Sequence, residues 1–242
     1  MIEAVLFDFD GTLMNTDEVV LRSWQHTYEG MGMPVPSDDY IRTTFGEPLI
    51  RSMQEEFPDA DYKIPLGIYR TFNESRFLEY AKPYPGMVEL IDRLREKGIL
   101  TALVTSRLKR TTYIGLEHFD LVRRFDAILT EDESPSSKPD PGPVYVTLRM
   151  LGMDFKESPT GAIAPDGSSM KDRVLMIGDS IYDIRCCDNA GIGSMLVTWT
   201  EALKITQEGD MNTAVHGNGE EVHPDFILPD ADEFEKILVG RM

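Results

Sequence analysis

Four short apolar runs stand out along the chain: "AVLF" at 4 to 7, "ILTALVT" at 99 to 105, "RVLMIG" at 173 to 178 and "SMLVTW" at 194 to 199. Each is bounded by polar or turn residues and none shows strict alternation, which predicts strands buried on both faces. Between them the period changes. In "GMVELIDRLREKG", Met87, Leu90, Ile91 and Leu94 recur at helical spacing, and Gly98 supplies the stop. Strand and helix alternate from there to "AGIGSMLVTW", so the expected fold is α/β: a Rossmann-like parallel sheet with helices on both faces.

One region breaks the alternation. Residues 15 to 84 contain no convincing strand. Asn15 and Glu18 suggest a capping box, after which Val20, Trp24 and Tyr28 stripe one helix face. "PSDDYIRTTF" and "IPLGIYRTFNESRFLEYA" continue as helices, and "KPYPG" closes the region. We therefore expect two domains: a core from 1–14 and 85–242, and a smaller α-helical cap from 15–84, placed where a lid would cover the carboxyl ends of the strands. Two further segments read as insertions without an evident role: 156–173 is long and turn-rich, and 206–225 lacks periodicity.

Composition narrows the partners. Lys plus Arg number 24 against 42 Asp plus Glu, a net charge of −18, which disfavours nucleic acid and anionic membranes. An anionic substrate then needs local positive groups. No apolar run approaches the roughly 18 to 20 residues that span a bilayer. The two cysteines, Cys186 and Cys187, are adjacent and cannot staple distant segments. A cytoplasmic monomer or homodimer is expected.

The chemistry gathers where the apolar runs end. Asp8 and Asp10 follow the first run two residues apart and should project together, a pair that a divalent cation would relieve. A plain Asp-Gly turn with surface carboxylates explains them equally well. Asp179 ends the third run and Asp183 lies one helical turn on, as metal-site carboxylates or as a helix N-cap arrangement. Thr105 and Ser106 end the second run, with Ser106 also a candidate N-cap. Lys138 lies in the Pro-rich "SPSSKPDPGPV", where a loop lysine is ordinarily exposed. In a parallel sheet these strand ends share one edge, and the set makes a phosphoryl-transfer kit.

"DFDGTL" (8 to 13), "LVTSR" (103 to 107), "SKPDP" (137 to 141) and "GDSIYD" (178 to 183), in that order, resemble the haloacid dehalogenase superfamily of phosphohydrolases. The resemblance covers nearly the whole chain. It implies that Asp8 attacks phosphorus, that Asp10 serves as acid and then base, and that Thr105, the Ser106 amide and Lys138 bind the phosphoryl oxygens. It also implies Mg²⁺ held by Asp8, the Asp10 carbonyl and Asp179, with Asp183 orienting ligands or Lys138. An acid at Asp10 points to phosphate esters or anhydrides. The helical insert resembles the family's C1 cap, which makes "TFGEPL" (44 to 49), Arg51, Arg70, Asn73 and Arg76 candidates for substrate contact. Cys186 and Cys187 stand where the family often has alanine, a change in packing rather than chemistry.

The implied activity is a phosphatase acting on a small phosphorylated metabolite. The opening motif, the cap placement and "VTWT" (197 to 200) look most like phosphoglycolate phosphatases and related pyrophosphatases. A β-phosphoglucomutase-like mutase is the enzymatic alternative. A signalling receiver shares the residue types, but it carries its acceptor aspartate on a later strand and has no lid.

Overall fold

The computed structural model describes residues 1–200, 203–209, 211–217 and 219–239. Its centre is a six-stranded parallel sheet. The strands are β1 (Ala4–Phe7), β2 (Leu100–Val104), β3 (Ala127–Leu129), β4 (Val174–Gly178), β5 (Gly193–Val197) and β6 (Phe226–Leu228), in the spatial order β6-β5-β4-β1-β2-β3. Four of them are the apolar runs of the sequence. The edge strands β3 and β6 span three residues each, too few to carry a periodic signal.

Side chains alternate across the sheet and so build two cores. Val5, Phe7, Leu103, Leu175, Ile177, Met195 and Val197 enter one, together with the apolar stripe of helix α5 (Met87–Glu96). Ala4, Leu6, Ala102, Val104, Val174 and Met176 enter the other, with Val144 and Leu148 of α7 (Gly142–Met150) and Cys186 and Cys187 of α8 (Ile181–Ala190). Both cysteines are free and buried in this core, and the Cys186 thiol also donates to the Asp140 carbonyl at 3.1 Å.

Helices α1 (Asp17–Gly30), α2 (Asp38–Arg42), α3 (Leu49–Glu56) and α4 (Lys63–Tyr80) lie together between β1 and β2. They enclose a separate apolar cluster containing Trp24, Tyr28, Ile41, Met53, Phe57 and Tyr69. The expected capping box does not form. Asn15 instead pairs with Lys82 in a two-residue ribbon (Met14–Asn15 with Lys82–Pro83), and Thr16 precedes α1 without a side-chain cap. Trp24 and Tyr28 are buried, whereas Val20 is only half-buried because Val19 and Leu21 take the inner positions. The ribbon carries both connections between the helices and the sheet.

Both segments expected to be insertions contain strands. Lys156–Ser158 and Gly161–Ile163 form a hairpin, and Leu203–Glu208, Met211–His216 and Glu221–Val222 form a three-stranded antiparallel sheet that packs Ala214 and Val222 against Ile181 and Ile184. Positions 210 and 218 of the second segment lie outside the described residues. Along Met211–His216 the even-numbered residues are buried, an alternation half hidden by Asn212 and His216, which are polar yet face inward.

Candidate active site

Parallel pairing sets the geometry of the site. Ala4–Phe7 pairs in register with Leu100–Leu103 on one side and Val174–Ile177 on the other. Asp8, Thr105 and Asp179 therefore leave their strands at the same edge. Asp8 and Thr105 are buried and Asp179 is half-buried.

Lys138 is the centre of this edge. Contrary to the ordinary expectation for a loop lysine, its side chain is 5% exposed, and its Nζ donates to Asp8 Oδ1 at 2.6 Å, Asp183 Oδ1 at 2.6 Å and the Val104 carbonyl at 3.3 Å. Burial alone would discharge the ammonium, but Asp183 and Asp8 outweigh it and keep Lys138 charged. The lysine is fixed in turn by α8. Ser180 is the N-cap of that helix and forms a reciprocal capping box with Asp183, whose Oδ2 accepts from Ser180 N at 3.1 Å and Ser180 Oγ at 2.6 Å. The N-cap is thus Ser180 rather than Asp179. Gly178 permits this close turn, since a Cβ there would lie 2.4 Å from the Asp183 Cβ.

Asp8, Asp179 and Asp183 present carboxylate oxygens all within 4.8 Å of one another. Burial, opposed by Lys138, pushes the Asp8 carboxyl up to about 7. Burial and the charges of Asp183 and Asp8 push Asp179 well up. Among the described residues no cation lies within salt-bridge distance of Asp179. This excess of negative charge, built from hard oxygen donors, fits a divalent cation. Asp183 is the least suited ligand, because its two oxygens already engage Lys138 and Ser180. Gly11, at φ +73°, keeps the space in front of Asp179 open; a Cβ there would lie 2.1 Å from Asp179 Oδ2.

Asp10 faces a different neighbour. Its side chain is 34% exposed and is gripped by Arg107, with Nε at 3.0 Å from Oδ2 and Nη2 at 3.0 Å from Oδ1. Ser106 is exposed beside Thr105, and α6 (Lys109–His118) begins after Leu108, so Ser106 is not its N-cap. Thr105 Oγ1 accepts from Arg107 N at 3.1 Å.

A cavity of about 460 Å³ opens over these groups. Its floor includes Asp8, Asp10, Thr105, Ser106, Lys138, Asp179 and Asp183, and its roof includes Thr44 to Ile50, Arg70 and Asn73. Arg70 is half-buried and no carboxylate pairs with it among the described residues. Arg51 and Arg76 instead pair with Glu55 and Glu79 on exposed helix faces, away from the cavity lining. Two contributors had no assigned role in the sequence. Arg107 closes the "LVTSR" motif, and its place two residues beyond Thr105 is the available signal. Trp199 donates from Nε1 to the Gly11 carbonyl at 3.0 Å and rests on Tyr84, pinning the turn after Asp10. No local pattern announces that contact.

Residues 5–197 match the family model of haloacid dehalogenase-like hydrolases. The chain belongs to this family. A putative pyrophosphatase PpaX of Caldanaerobacter subterraneus is 32% identical over 244 residues, spanning 99% of this chain and 96% of that protein. Pyrophosphatase PpaX of Halalkalibacterium halodurans is 30% identical over 81% of this chain and 83% of its own. Among solved structures, a predicted phosphoglycolate phosphatase from Haemophilus somnus superposes with a TM-score of 0.75 at 19% identity, over 98% of this chain and 97% of that one. Together these agree with the α/β, Rossmann-like haloacid dehalogenase fold.

Proposed function

We propose that this haloacid dehalogenase-like hydrolase is a Mg²⁺-dependent phosphatase that cleaves a small phosphorylated metabolite through a phosphoaspartate on Asp8. The observation that carries this reading is the Lys138 ammonium, buried and shared at 2.6 Å between Asp8 and Asp183 where three carboxylates converge. Asp8 is placed to attack phosphorus with one carboxylate oxygen while Lys138 offsets the charge of the incoming phosphoryl group. The bond from phosphorus to the leaving oxygen breaks, and that oxygen takes a proton from Asp10. Water then attacks the phosphoaspartate, Asp10 accepts its proton, and the bond to Asp8 breaks to release phosphate.

Thr105, the Ser106 amide and Lys138 would bind the phosphoryl oxygens. Asp8, the Asp10 carbonyl and Asp179 would hold Mg²⁺, which supplies charge for the transferring oxygens, while Asp183 orients Lys138. Helices α1 to α4 form a cap over the floor. Arg70 in the roof gives an anionic leaving group a counter-charge, consistent with a pyrophosphate- or phosphoglycolate-like substrate and with the names of the similar proteins. No helix among the described residues is long and apolar enough to cross a membrane. We read the protein as cytoplasmic, acting on a free metabolite as a monomer or homodimer.

The test is phosphate release from purified protein with Mg²⁺, across pyrophosphate, 2-phosphoglycolate and phosphosugars. Steady release from an anion-bearing substrate supports the proposal. Isomerisation of a phosphosugar without release would replace it with a mutase, and activity that survives full chelation would remove the metal.

A further inference from the structure

Arg107 is bound in a way that the reaction above leaves unexplained. Its side chain is 9% exposed, and its guanidinium meets three elements at once. Nε and Nη2 grip both oxygens of Asp10, on the loop after β1. Nη1 donates to Asn73 Oδ1 at 2.8 Å, on the cap helix α4. The plane lies over Phe77 of α4 at 4.8 Å and over Phe9 at 5.9 Å. Asn73 is buried, and its amide donates to Ser23 Oγ of α1 at 3.1 Å, so the network extends into a second cap helix.

We infer that Arg107 is a positioning residue that straps the cap to the Asp10 carboxylate, holding Asp10 in its working orientation while α4 is seated over the core. The inference rests on the acid and base role given to Asp10 above. No other donor reaches the Asp10 carboxylate among the described residues, so this fork is its one hydrogen-bonded restraint there. General acid or base catalysis needs that fixation, because proton transfer runs over hydrogen-bond distances. A planar fork with separate donors can hold Asp10 and Asn73 at once, whereas an ammonium is a single point of charge. Stability does not call for this arrangement. Burying an arginine is costly, and an apolar side chain of similar length would cover the stacked rings of Phe9 and Phe77 without desolvating a charge.

The deciding experiment is a double-mutant cycle in kcat on the best substrate, with hydrogen exchange as an arm that needs no activity. Arg107→Ala is expected to lower kcat on the order of 100-fold with little change in KM, the size that a misplaced catalytic group produces. In an Asp10→Asn background the same substitution should cost about twofold or less, because the two residues act as one unit. Arg107→Lys should recover only a small part of the loss, and Asn73→Ala, which keeps the Asp10 grip, should fall between. In both Arg107→Ala and Asn73→Ala, amide exchange should quicken across Lys63–Tyr80 but not across Met87–Glu96. A full loss that persists in the Asp10→Asn background, or a loss confined to KM, overturns the strap. If the wild-type protein releases no phosphate, the role of Asp10 fails instead, and unchanged exchange in α4 then overturns the strap on its own. Should Arg107→Ala fail to fold, Arg107→Lys and Asn73→Ala carry the same comparisons.

Discussion

The floor and the roof of the cleft are built on different principles. On the floor, Asp8 follows β1, Asp183 lies in the first turn of α8, and the loop residue Lys138 bridges the two at 2.6 Å to each, all three buried. On the roof, the segment from Thr44 to Ile50 leads into α3 with Phe45 and Leu49 packed against the helices' own apolar cluster, and Arg70 has no carboxylate partner among the described residues. A saturated buried network specifies one arrangement and tolerates little change. The roof has fewer such constraints, apart from Asn73, which is buried and bonded to Ser23 and Arg107. On the function proposed above, the chemistry belongs to the floor and the choice of substrate to the roof.

The comparison breaks first at Asp8. Asp8→Asn should lower kcat by roughly three orders of magnitude or more, as loss of a nucleophile does. Its buried amide replaces a carboxylate of the same shape, so a thermal melt should still show a folded protein. Appreciable turnover in this variant would show that the floor does not supply the nucleophile.

Lys138→Ala should damage both activity and stability. It leaves Asp8 and Asp183 buried without their shared cation, a loss of about 3 to 5 kcal/mol by chemical denaturation. An unchanged denaturation midpoint would mean that water reaches the floor and solvates the two carboxylates. Divalent metal should act in the opposite sense: Mg²⁺ is expected to raise the melting temperature of chelator-treated protein, and Asp179→Asn should abolish the rise. A rise that survives in Asp179→Asn would place the cation elsewhere.

The roof should answer more softly. Arg70→Ala is expected to raise KM about tenfold for an anion-bearing substrate, or about 1.4 kcal/mol, with kcat nearly intact. An equal loss in kcat would move Arg70 into the chemistry and blur the division.

The smallest effect comes from an ion pair outside both regions. Arg93 donates from Nε to Glu235 Oε1 at 2.9 Å and from Nη2 to Oε2 at 3.3 Å, linking α5 to the C-terminal helix α9 (Phe234–Ile237). Burial works against the Glu235 charge, but Arg93 prevails and holds the carboxyl below its ordinary value of 4.5. A carboxyl with a lowered folded-state value contributes stability above its unfolded value and loses it as pH falls through the folded one. Arg93→Gln should therefore cost less than about 1 kcal/mol at neutral pH, and the gap to wild type should close below pH 4.5. A gap that holds at low pH would show that Arg93 acts through packing or its bond to the Ala231 carbonyl rather than through charge.

Much of the floor is legible in the amino-acid pattern. Buried parallel strands produce apolar runs, and the residue after each run must emerge at the shared edge, so Asp8, Thr105 and Asp179 can be placed from pattern alone. Lys138 is legible as a motif but not as a buried group, because a loop lysine owes its burial to Asp8 and Asp183, 130 and 45 residues away in sequence. The roof is legible only as helices. Periodicity does not distinguish Arg70, which lines the cleft, from Arg76, which pairs with Glu79 on the surface.

What the sequence determined by itself was the period of each element and the chemical type at each strand end, since both follow from local geometry repeated along the chain. The tertiary structure decided which of those groups meet. It brought Arg107 between Asp10 and Asn73, turned Trp199 onto the turn at Gly11, and joined Leu203–Glu208, Met211–His216 and Glu221–Val222 into a sheet against α8. Such contacts depend on how helices and strands pack at long range, and no local spacing carries that information.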